Sequence, residues 1–189
     1  VVAHMDELGV IVTYVDKKGF LRFGLVGGGV RAAFCQGNRV HFPNGVMGTI
    51  WAEKRENANT VPTLDQLFID VGAQDRVSCP VNVGDMAVFE GALTVQGDRW
   101  TSKAMDDRIG CAVLIETMRR IRREGIQLAH ALDCVFSVQE EVGVRGATTA
   151  SFALDPEIGL AVDITPTGDT PNSHPMAVSL GDGPAIKVK

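Results

Sequence analysis

The chain has 189 residues, enough for one large domain or two small ones, and its 45% hydrophobic and 22% charged shares are those of ordinary globular proteins. A net charge of −5 argues against nucleic acid as a partner. No apolar run approaches the roughly 18 residues of a membrane span, no signal peptide is read, and the four cysteines show no CxxC spacing; two lie in apolar runs that suit core positions, and a reduced, cytoplasmic setting fits best.

Residues 1–3 read as a short strand ending at His4 and Asp6. A hairpin follows, with Val10, Val12 and Tyr14 on one arm, Phe20, Arg22 and Phe23 on the other, and Asp16, Lys17, Lys18 and Gly19 in the turn. Gly27-Gly28-Gly29 has no helix signal behind it, so a turn is the better reading than a phosphate loop. Short β-like runs at 40–42, 46–50, 67–71, 86–89 and 93–96 are punctuated by Gly, Pro, Asn and Asp, the grammar of a small barrel or sandwich. Residues 51–62 read as a surface loop.

After Trp100 the pattern changes. Ile109, Ala112, Val113, Met118 and Ile121 form a helical stripe over 107–124, whose terminal arginines 119, 120, 122 and 123 complement the helix dipole on a solvated face. A buried strand is expected at 132–138, a short helix at 147–152 and strands at 158–164 and 184–189. The expected architecture is α/β. Residues 1–7 and 99–189 form an α/β domain, with a β-rich domain at 8–98 inserted in it, because the leading strand has no other sheet to join.

The stretch LDCVFSVQEEVGVRG, 132–146, delivers Glu140 and Glu141 at a strand end. Such a pair is more often solvated than functional. His4 and Asp6 also follow a strand, Asp163 lies near the end of another, and Asp106 stands before the helix, where an Asp such as those of Asp106-Asp107 is usually a cap. In open α/β sheets, sites form at the carboxyl ends of strands. Imidazole plus carboxylates, without thiolate, is a ligand set for hydrolytic zinc.

The motifs AHMDELG, SKAMDDRIG, VQEEVGVRGA and AVDITPTGDTP resemble, in order, those of the tetrahedral and glutamyl aminopeptidases, dinuclear metallo-exopeptidases with a zinc-exopeptidase-type α/β domain and an inserted β-barrel-like domain. The resemblance implies that His4 and Asp163 ligate one metal and Glu141 the other. It also implies that Asp106 bridges them, Asp6 orients the imidazole and Glu140 is the general base. It implies two divalent ions, zinc or cobalt, about 3.5–4 Å apart, peptide substrates held by a free N-terminus, and dimers that build a dodecameric tetrahedral shell.

The family's further His ligand has no counterpart here: His41, His130 and His174 match no motif. Val1 is not Met, and both ends read as interior to a longer chain. The expectation is therefore that residues 1–189 alone hold at most one tight ion and have little peptidase activity. Rival readings are a related dinuclear deacylase or carboxypeptidase, or a non-catalytic assembly module. A glycosidase fits less well, since its carboxylates must flank a sugar roughly 5–9.5 Å apart.

Overall fold

In the computed structural model, which describes residues 1–57 and 59–187, the leading strand finds its sheet in the second half of the chain. Strand β1 (Val2–His4) runs parallel to β10 (Val135–Ser137), with Val2 opposite Val135 and His4 opposite Ser137. Val2 also makes a parallel bridge to Ala161. Three chain segments thus run the same way, and His4, Ser137 and Asp163 stand towards one end of them.

Between these strands the chain closes a six-stranded barrel in the order β2-β3-β6-β5-β4-β7. Its strands are β2 (Gly9–Val15), β3 (Leu21–Val26), β4 (Arg39–His41), β5 (Met47–Ala52), β6 (Leu67–Asp70) and β7 (Met86–Phe89). Alternation drives the closure. On β5, Gly48, Ile50 and Ala52 face in while Met47, Thr49 and Trp51 face out, the period-two pattern of a strand with one dry face. Val10, Leu21, Val40, Ile50, Leu67 and Ile69 are fully buried in one cluster. Closure leaves no unpaired sheet edge.

A separate hairpin, β8 (Thr94–Gln96) with β9 (Arg99–Thr101), joins neither sheet. Helix α1 (Met105–Glu124) then packs on β1, and Cys111 and Leu114 are buried with Ala3 against Phe136 and Val162. Gly125 ends the helix in the left-handed conformation, which glycine adopts without a Cβ penalty. Helix α2 is Arg145–Leu154.

Several expected elements differ. The strand at 132–138 shortens to Val135–Ser137, because only these residues pair with β1. The strand at 158–164 reduces to the single bridge at Ala161, and 184–187 form no strand. Apolar character is legible without a partner, but a strand requires one. The last two residues of the expected strand at 184–189 lie outside the described residues, as does Ala58 in the expected loop 51–62. Trp51 and Ala52 belong to β5, not to that loop. Among the described residues no helix is long and apolar enough to cross a membrane.

Candidate metal centre

His4 ends β1 with its side chain buried, 3% exposed. Its Nε2 lies 2.9 Å from Asp106 Oδ1 and 3.8 Å from Glu140 Oε2, and its Nδ1 lies 3.4 Å from Asp6 Oδ1. Nδ1 makes no hydrogen bond among the described residues. Asp6 has a second task. Its Oδ1 accepts the backbone N–H of Glu140 and its Oδ2 that of Glu141, each at 3.2 Å. One carboxylate therefore sits beside the imidazole and holds both glutamates by their backbone.

The glutamates stand on a turn with unusual backbone. Gln139 before them and Val144 after them are left-handed, with φ of 60° and 55°. Ala104, two residues before Asp106, has φ of 53°. Left-handed backbone costs non-glycine residues, most of all a β-branched one, and persists only where the surroundings impose it. The imposition is visible at α2. Gly146 N–H bonds to Val138 O at 3.0 Å, and a Cβ on Gly146 would overlap that carbonyl. Only glycine lets the helix start this close to the strand end.

Asp106 and Asp107 depart from helical φ and ψ, and the peptide bond between them is cis. Their side chains serve different purposes. Asp106 is half exposed beside His4. Asp107 is fully buried, its Oδ1 accepting Gly110 N–H at 3.1 Å and its Oδ2 accepting the backbone N–H of His4 at 3.2 Å. A Cβ on Gly110 would overlap both oxygens. Cys111, one residue on, donates its thiol to His4 O at 3.2 Å.

Two groups of potential ligand atoms result, each gathered within 4.8 Å: His4 with Asp106 and Glu141, and His4 with Asp107 and Asp163. The structure thus brings all six expected residues to one place. It adds Asp107, and in these groups it is Asp107 rather than Asp106 that stands with Asp163. The sequence pointed to Asp107 as a cap, which it is for Gly110. The further signal was Gly110 itself, a glycine on a helix side where a side chain would collide with that carboxylate. The other histidines lie elsewhere: His41 is on the barrel, 3.6 Å from Glu90, while His130 and His174 are exposed.

The charges ask for a cation. Burial works to lower the pKa of His4, but the hydrogen bond to Asp106 and the charges of Glu140, Asp106 and Asp6 outweigh it and raise it. Burial raises Asp107, against the hydrogen bonds from His4 and Gly110 and with the charge of Asp163. Burial, then the charges of Asp106, Glu140 and Asp6, raise Glu141 against the opposing effect of His4. Carboxylates that crowd one another in this way are stabilised by a divalent ion. Nitrogen and oxygen donors without sulfur suit zinc or a similar first-row metal.

The family model of the M42 glutamyl aminopeptidases matches residues 1–189. A putative aminopeptidase of Acetivibrio thermocellus is 50% identical over 191 residues, covering 100% of this chain and 56% of the relative. Aminopeptidase APDkam598 from the archaeon Desulfurococcus kamchatkensis superposes with a TM-score of 0.83 at 35% identity, covering 97% of this chain and 52% of that one. The Pyrococcus horikoshii TET1 peptidase, described as assembling into a tetrahedron or a large octahedral shell, gives a TM-score of 0.74 at 31% identity, covering 90% and 55%. The chain thus spans little more than half the length of each relative.

Proposed function

The chain belongs to the M42 glutamyl aminopeptidase family, and from that premise we propose that the protein is a metal-dependent aminopeptidase that releases N-terminal residues from peptides. The observation that carries this reading is the pair of ligand groups sharing His4, with Glu140 Oε2 3.8 Å from the same imidazole. We assign two divalent ions, zinc or cobalt, to His4, Asp106, Glu141 and Asp163, with Asp107 a further candidate. Bound there, the metal supplies Lewis acidity and a water of lowered pKa.

The chain's own residues do the rest. Glu140 is the general base, placed beside the imidazole yet absent from both ligand groups. It takes a proton from the attacking water and returns one to the leaving amine. Glu141, next along the same turn, takes the other role: its carboxylate is the one gathered with His4 and Asp106. Asp6 is the positioning residue. By accepting both backbone N–H groups it fixes the two glutamates together.

We assign catalysis to residues 1–7 and 99–189 and self-association to residues 8–98. The proposed assembly is dimers that build a dodecameric tetrahedral shell, in keeping with the description of the TET1 neighbour. The cytoplasm is the proposed compartment, which suits four free cysteines. The test is incubation of the purified protein with unblocked and N-acetylated peptides, with zinc or cobalt and with chelator. Metal-dependent release of free N-terminal amino acids from unblocked peptides alone is the expected result for a chain of the relatives' full length, while residues 1–189 by themselves should release little. Cleavage from the C-terminus, or removal of the acetyl group, would replace the reading with the carboxypeptidase or deacylase.

A further inference from the structure

The turn Gly27-Gly28-Gly29 follows β3 in the barrel, yet it lies against the glutamate turn of the α/β half. Gly28 N–H donates to Glu141 O at 3.2 Å. Glu141 is therefore held by its backbone on two sides: its N–H by Asp6 and its carbonyl by the barrel. Gly27 has φ of +98°, a conformation that side-chain-bearing residues rarely adopt. A Cβ there would overlap Leu8 Cδ2 and stand 3.3 Å from Glu141 Cβ and 3.6 Å from its Oε2. A Cβ on Gly29 would stand 3.3 Å from Leu8 Cδ1. Leu8, two residues beyond Asp6, is thus packed against the turn.

We infer that the Gly27–Gly28 turn is a positioning element through which the barrel sets the place of the Glu141 carboxylate among the ligands. The inference rests on the proposed role of Glu141 as a ligand. Ligand atoms must meet a metal within about 0.2 Å of set distances, so a small displacement of this backbone is felt at the metal. The two glycines contribute differently. Gly28 supplies its backbone N–H, and a Cβ there would meet nothing within 4 Å, whereas Gly27 leaves the room that Leu8 and the carboxylate occupy.

The experiment is titration of the metal-stripped protein with cobalt(II), followed by calorimetry and by the visible ligand-field spectrum. Gly27→Ala should weaken the ion held through Glu141 by about 10–100-fold, as loss of a supporting group around a ligand does, and should change the ligand-field band. Gly45→Ala is the control. Gly45 has φ of +86° in a barrel turn, so alanine there carries a similar backbone cost, but a Cβ would meet nothing within 4 Å. It should leave affinity and spectrum at wild-type values.

Should Gly27→Ala fold poorly, Leu8→Ala in the same chain removes the overlap while keeping the new Cβ against Glu141. That double variant should still bind more weakly than Leu8→Ala alone. Wild-type affinity and spectrum in Gly27→Ala, or a double variant equal to Leu8→Ala, would overturn the inference. Glu141→Ala tells the two failures apart. If it binds cobalt as the wild type does, the ligand role fails. If it binds weakly while Gly27→Ala binds normally, only the positioning role fails.

Discussion

Asp107 Oδ2 accepts the backbone N–H of His4 at 3.2 Å across 103 positions of sequence. That bond crosses the whole inserted barrel and ties the end of β1 to the start of α1, so the strand that presents the imidazole and the helix that presents Asp106 are set by one buried carboxylate. Its other oxygen is taken up by Gly110.

The two adjacent aspartates should therefore fail in different ways. Asp107→Ala strands two backbone N–H groups and should cost about 1–3 kcal/mol in the metal-free protein by urea unfolding. Asp106→Ala, at a half-exposed side chain, loses a single hydrogen bond, to His4 Nε2, and should cost less, about 0.5–1.5 kcal/mol, while lowering zinc affinity. Gly110→Ala should behave like Asp107→Ala, since its Cβ evicts that carboxylate. Equal stability losses for Asp106 and Asp107 would remove the tie between strand and helix.

Thiol reactivity should follow burial. Burial pushes the thiols of Cys35 and Cys111 up, and the charge of Asp107 adds to it at Cys111. Less thiolate and less access both slow alkylation. Peptide mapping after brief native alkylation should find Cys79 and Cys134, which are half-buried, modified before Cys35 and Cys111, with all four reacting in urea. Early modification of Cys35 would contradict the barrel core.

The outward row of β5 is the place to probe self-association. Met47 and Trp51 are 43% and 51% exposed on a closed barrel, and buried tryptophans are frequent anchors of interfaces. Met47→Lys with Trp51→Lys should reduce the particle mass seen by light scattering and leave the circular dichroism unchanged. An unaltered mass would move the assembly surface off this face. Deleting the barrel is the poorer test, because Gly28 belongs to it and touches Glu141.

Much of this was readable from residue order. Alternation marked the barrel strands, spacing marked α1, and the strand ends drew His4, Asp6, Glu140, Glu141 and Asp163 to one place. That β1 joins the later α/β strands rather than the barrel followed from the leading strand's lack of another sheet. What pairs with a strand was not readable, so the apolar residues 158–164 were expected to form one and make a single bridge. Asp107 was visible as a cap, but its bond to His4 spans a distance that no local pattern reports. The bracing of Glu141 by Gly28 was hidden for the same reason: a glycine run looks the same whether its N–H meets solvent or a carbonyl far along the chain.

The division of labour between Glu140 and Glu141 is the centre of the account, and metal analysis of two variants tests it most directly. Metal content and turnover are measured together for Glu140→Gln and Glu141→Ala in a chain of the relatives' full length. Glu140→Gln should keep the metal content of the wild type and lose turnover by about 10²–10⁴-fold, the usual worth of a general base. Glu141→Ala should lose metal and turnover together. Equal metal loss in both variants, or a Glu140→Gln protein that turns over at the wild-type rate, would contradict it.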